Sequence, residues 1–160
     1  GLIGREPNRS AVVVNVGEDY LHSMFEAMAE LEGICARPSA SRMTVDERRA
    51  LDVEHRASMR LVHSGSPEDY ASYNIEFHNR LSRGAHNDHL LELATQSEQG
   101  WPPSAGHSSG SRVAFQSYEE HDRIVTAILR ADPVEAGEAA FDHVSIVSGA
   151  STVFKADSRA

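Results

Sequence analysis

The sequence predicts an all-α protein, an antiparallel helical bundle of about six helices preceded by a β-hairpin. Three observations carry this. Beyond Gly17 the apolar residues recur with a helical period near 3.6, whereas before it they follow a period near two. Helix-starting signals at Thr44, Ser66, Asn87, Ser117 and Asp132 then divide the chain into helix-length pieces. The connections between most of these pieces are short, which makes consecutive helices antiparallel neighbours.

Before Gly17, Leu2 to Arg5 and Ala11 to Val16 read as two strands around the turn Glu6 to Ser10. A lone hairpin is marginal in water, so it has to lean on something else. The first helix carries the stripe Tyr20, Leu21, Met24, Phe25, Met28, Leu31 and Cys35, and Pro38 is expected to end or kink it. A second helix starts at the capping box Thr44-Val45-Asp46-Glu47 and runs to about Val62, where Ser64-Gly65 stops it. The third has Ser66 as N-cap, Pro67 in the first turn, and Glu68 and Asp69 complementing the dipole; its stripe is Tyr70, Tyr73, Phe77 and Leu81.

Asn87 or Asp88 caps a shorter helix containing Leu90, Leu91, Leu93 and Ala94. The Ser, Gly, Gln and Pro content from Thr95 to Arg112 predicts helix decay followed by a mobile loop. Ser117-Tyr118-Glu119-Glu120 reads as a further capping box, opening a helix that buries Ile124, Val125, Ile128 and Leu129. Asp132-Pro133-Val134-Glu135 caps the last helix, with Ala136, Ala140, Phe141, Val144 and Val147 facing inward. The expected organisation is a hairpin over residues 1–17 and one helical domain over 18–160.

A chain of 160 residues is long enough to bury a proper core. Hydrophobic residues at 40% and charged residues at 24%, with 11 Gly and 6 Pro, exclude collagenous, low-complexity and largely disordered classes. The longest aliphatic run, Ala11 to Val14, excludes a transmembrane helix, and nothing resembles a signal peptide, so no membrane partner is expected. Cys35 can form neither an internal disulfide nor a cysteine zinc cage; a reducing cytoplasm is the natural compartment. Its place on a core stripe marks it as an inert buried thiol. A net charge of −9 with 15 scattered Lys and Arg makes this segment by itself a poor binder of DNA or anionic membranes.

Nine histidines are the compositional oddity. His78, His121 and His143 fall on apolar stripes of three different helices, whereas His22, His55, His63, His86, His89 and His107 read as surface or capping residues. Asn74 and His78 are one helical turn apart, so both side chains can reach one interior point. That is the spacing a metal ion needs from two ligands on one helix. A lone inward histidine is ordinarily a hydrogen-bonded core residue. Three of them in a fold that builds sites between facing helices support a divalent metal site and core hydrogen bonding alike. Any metal must use His and oxygen ligands; tetrahedral geometry would favour Zn and octahedral geometry Ni or Mn. Phosphate-cradling Gly-rich loops, a Gly-x-Ser-x-Gly elbow and a His-Glu-x-x-His helix are absent. The acidic pairs Asp52 with Glu54 and Glu119 with Glu120 read as solvated.

The segment Asn74-Ile75-Glu76-Phe77-His78-Asn79-Arg80-Leu81, then Asn87 and Leu90, then Ser117 to Ile128, the break Ala131-Asp132-Pro133-Val134-Glu135-Ala136, and His143 carry a resemblance. Over roughly residues 18 to 150 the chain resembles the C-terminal effector domain of the FadR subfamily of GntR-type bacterial transcription regulators. The resemblance implies a helical bundle that binds a small, usually carboxylate-bearing effector and, in many members, a divalent metal. It implies a homodimer acting on operator DNA through an N-terminal winged helix-turn-helix. Residues 1–17 would then be a remnant of that domain's wing, the rest of it missing ahead of Gly1.

The same resemblance implies metal ligands at Asn74, His78, His121 and His143, with Asn where metal-binding members commonly have Asp. It implies effector contacts at Glu32 and Met28, the latter standing where many members carry an Arg that pairs with the effector carboxylate. Asn offers an amide oxygen but no charge, so the ion would keep its full charge and call for an anionic ligand. The function so implied is ligand sensing and dimerisation in a transcription regulator, with no catalytic residue. Two alternatives stand beside it: a bundle-type metalloenzyme using the same three-His plus Asn site, and a metal-free helical interaction module.

Overall fold

Six helices follow one another in the computed structural model: α1 Glu18–Arg42, α2 Val45–Ser64, α3 Pro67–Gly84, α4 Asp88–Gln99, α5 Ser111–Leu129 and α6 Pro133–Asp157. The structure describes residues 3–4, 12–13, 18–99 and 111–157, with side chains over 19–97 and 112–146. Before α1, Ile3–Gly4 pairs antiparallel with Val12–Val13, placing Ile3 opposite Val13 and Gly4 opposite Val12. The remaining residues of both expected strands, residues 100–110 of the expected loop, His107 among them, and the Val147 side chain lie outside the described residues.

Local chemistry sets several boundaries. Thr44 and Glu47 close a reciprocal capping box at the start of α2, and Ser66 does the same with Asp69 ahead of Pro67 in α3. Asn87, rather than Asp88, caps α4 by accepting from the His89 and Leu90 amides. Asp132 caps α6 by accepting from Val134 and Glu135.

Elsewhere tertiary packing overrides the local signal. α1 continues through Pro38 to Arg42, so the expected stop there is corrected. Proline costs the Ile34 carbonyl its amide partner. The following turn is nevertheless held from outside: Ser39 Oγ lies 2.8 Å from the Cys35 carbonyl and against the Leu81 carbonyl of α3, while Arg48 donates to the Ala40 carbonyl at 2.7 Å. α5 begins at Ser111, which leaves Ser117 to Glu120 inside the helix and removes their capping role. Arg112 to Gln116 contain no breaker, and Val113 and Ala114 are half-buried, so the helix gains by extending backwards. Tyr20 and Leu129, expected on buried stripes, are exposed, and Phe141 sits at the rim of the α6 face.

The main core gathers Ala36, Ala40, Leu51, Phe77, Leu81, Ile124, Val125, Ile128, Ala136 and Ala140 from α1, α2, α3, α5 and α6. Small residues let α1 and α6 approach closely; a Cβ on Gly33 would lie 3.0 Å from the Gly137 carbonyl oxygen. A smaller cluster joins Phe25, Met28 and Ala29 of α1 to Val144 of α6. None of the described helices is long and apolar enough to cross a membrane.

Candidate metal centre

Helices α3, α5 and α6 each turn one buried histidine toward a common point. His78, His121 and His143 have ring centroids 5.4, 5.3 and 4.6 Å apart, taken as 78 to 121, 78 to 143 and 121 to 143. One potential ligand atom from each lies within 4.8 Å of the others, and among the described residues this is the one such group. The requirement that these three side chains meet is satisfied. His121 is fully buried and lies flat on Phe77, with ring centroids 3.9 Å apart.

Two carboxylates reach the imidazoles from behind. His143 Nδ1 is 2.7 Å from Glu120 Oε2, and His78 Nδ1 is 3.2 Å from Glu32 Oε2; all four side chains are largely buried. An ionised carboxylate only accepts, so His143 carries its proton on Nδ1 and bares its Nε2. That Nε2 lies 3.2 Å from His121 Nε2. A metal with bonds of about 2.0–2.1 Å separates two adjacent nitrogen donors by about 3.0–3.4 Å, so the spacing suits a shared ion.

Asn74, one turn before His78, has a buried Oδ1 with no hydrogen-bond partner among the described residues. Such an orphan oxygen is costly unless a donor or a cation meets it. Burial drives the His121 imidazole far below the ordinary histidine range, and the neighbouring His143, His78 and His55 add to the effect. Burial also lowers His143, outweighing the opposing effect of the hydrogen bond it donates to Glu120. Both rings are therefore neutral near pH 7, the form that binds a metal.

The structure corrects two readings of the sequence. Glu120 is a buried partner of His143 and not a solvated acid. Its stripe was visible in principle, because Ile124 and Ile128 follow at four-residue steps and both are fully buried. His55 is buried too, with Nδ1 3.0 Å from the Tyr73 hydroxyl, Nε2 3.3 Å from Asp122, and its ring stacked on Tyr118 at 4.3 Å. It shares a face of α2 with the buried Leu51, Ser58 and Val62, the signal that would have found it. Met28 lies in the apolar cluster with Phe25, Ala29 and Val144. Burial, reinforced by the Glu32 charge, pushes the Cys35 thiol up to about 11, which leaves it unreactive.

The sequence profile of the FCD domain matches residues 23–145. Among solved structures, GntR of Streptococcus agalactiae aligns over 92% of this chain and 74% of its own, with a TM-score of 0.68 and 22% identity. McbR/YncC of E. coli aligns over 96% of this chain and 77% of its own, with a TM-score of 0.82 and 14% identity. At these identities the likeness is one of fold. No curated protein matches the chain in sequence.

Proposed function

The chain belongs to the FCD domain family, the C-terminal effector-binding domain of FadR-like GntR regulators, and from that premise we propose that it senses a small carboxylate-bearing effector through a divalent metal. His78, His121 and His143 would hold the ion, with Asn74 Oδ1 as the oxygen donor. The observation that carries this reading is the convergence of three buried imidazoles, supplied by three helices, with donor atoms within 4.8 Å of one another. Bound there, the ion would supply a cationic anchor for an anion. With Met28 packed among apolar side chains, position 28 offers no cation to pair with a carboxylate. The metal would be Zn if four-coordinate, and Ni or Mn if six-coordinate.

In this reading residues 18–160 sense and dimerise, and residues 1–17 are the end of a wing belonging to an N-terminal DNA-binding domain. An effector that favours one arrangement of the bundle would shift the placement of two such domains on operator DNA, in the cytoplasm. We favour a sensor over a bundle-type metalloenzyme because Glu120 and Glu32, the acids beside the histidines, are engaged on imidazole nitrogens. That leaves neither of them placed as a free acid or base for a substrate.

Calorimetric titration tests the reading. Citrate should raise the affinity for metal by the same factor by which metal raises the affinity for citrate. Asn74→Asp adds a negative charge, so it should tighten metal binding without citrate and shrink the coupling. Equal metal affinity in both proteins, with and without citrate, would overturn the assignment.

A further inference from the structure

We propose that Glu120 and Glu32 serve the metal centre from outside its ligand set, Glu120 as a positioning residue that holds the His143 imidazole by its Nδ1 and Glu32 as a buried charge beside His78, together supplying the negative charge that the ligands lack. The inference rests on the metal reading above and reassigns Glu32 from an effector contact to a partner of His78. Both carboxylates come from helices other than that of the histidine beside them. Glu32 reaches from α1 to α3 at 3.2 Å, and Glu120 reaches from α5 to α6 at 2.7 Å. Their side chains are 12% and 13% exposed, so both charges have largely left water.

Burying two carboxylates is costly unless opposite charge lies close. Among the described side chains, the groups within reach of these two carboxylates are the imidazoles of His143 and His78, and neither carries a permanent positive charge. A dication at the point where the three rings meet removes this mismatch. With Asn74 and three neutral imidazoles as ligands, the two glutamates offset the ion's charge from behind His78 and His143, while its open coordination positions still present a cation to an anion. The proton held on His143 Nδ1 also leaves its Nε2 free to face the metal, which is how outer carboxylates orient ligand histidines and raise their basicity. His121 Nδ1 has no hydrogen-bond partner among the described residues, and Phe77 fixes its ring by stacking.

The test combines competition for zinc and nickel ions against a chromophoric chelator with imidazole nitrogen NMR of the metal-free protein. Glu120→Gln can still accept from Nδ1 but carries no charge; it should keep the His143 tautomer and weaken metal binding by about 10–100-fold. Glu120→Ala should lose the tautomer as well, and Glu32→Gln should weaken binding by a similar factor. Both Gln variants should leave the melting temperature of the metal-free chain unchanged or raised, whereas a merely structural role would lower it. If the wild type binds metal and both Gln variants bind within about twofold of it, this inference falls and the metal reading survives. His143 protonated on Nε2 in the metal-free wild type would also overturn it. A wild type that takes up neither ion overturns the metal reading, and this inference with it.

Discussion

Replacing His121 by Ala is expected to abolish specific divalent metal binding. His121 is fully buried, flat on Phe77 and with its Nε2 3.2 Å from that of His143. Removing it takes one of three nitrogen donors from the centre. An outer-shell partner is worth about 10–100-fold in metal affinity, and a direct ligand should exceed that. Alanine also leaves a cavity, costing about 2–4 kcal/mol, so His121→Leu is the companion variant. Leucine fills the space and removes a ring whose Nδ1 lacks a partner. It should fold with stability near that of the metal-free wild type while losing metal equally. Thermal unfolding reads this out: at an ion concentration about a hundredfold above Kd, the wild type should gain about 2.7 kcal/mol and neither variant any gain. A variant that keeps the wild-type metal-induced shift would remove His121 from the ligand set.

Acid should both weaken the metal-free fold and expel the ion. Burial lowers the folded-state pKa of His121, His143 and His55 below the ordinary histidine value of 6.5. The unfolded chain therefore takes up protons first as pH falls. The sign follows: these rings add no penalty above about pH 6.5, and stability is lost as pH drops from there through the depressed folded-state values. Metal binding needs neutral rings, so affinity should be level around pH 7 to 8. Below the folded-state values it should fall by up to about tenfold per pH unit for each ligand ring that must shed a proton. Melting curves with and without zinc at pH 7.5, 6.5 and 5.5 check both trends. A metal-induced shift that persists undiminished to pH 5 would contradict a histidine-based centre.

How much of this was legible in the sequence depends on where the deciding interactions lie. The starts of α2, α3, α4 and α6 are set by side chains within three residues of the cap, so sequence spacing contains them. α1 passes through Pro38 because of Ser39, Arg48 and contacts from α3, which no local pattern reports. Likewise, a cap-like sequence at Ser117 cannot reveal that α5 has already begun at Ser111.

The three histidines were legible because each interrupts an apolar stripe, and Asn74 because it lies one turn from His78. Glu120 was obscured by the cap reading, although Ile124 and Ile128 continue its stripe. The pairing of Glu120 with His143 and of Glu32 with His78 depends on which helices lie side by side. Sequence periodicity carries no such information.

The account's central claim is that His78, His121 and His143 ligate one ion. X-ray absorption at the metal edge of the zinc-loaded chain tests it most directly. Three imidazole nitrogens at about 2.0–2.1 Å, together with oxygen scattering, are the predicted first shell, and that shell should be lost in His121→Ala. A first shell of oxygen without imidazole scattering, or one unchanged in His121→Ala, would contradict it.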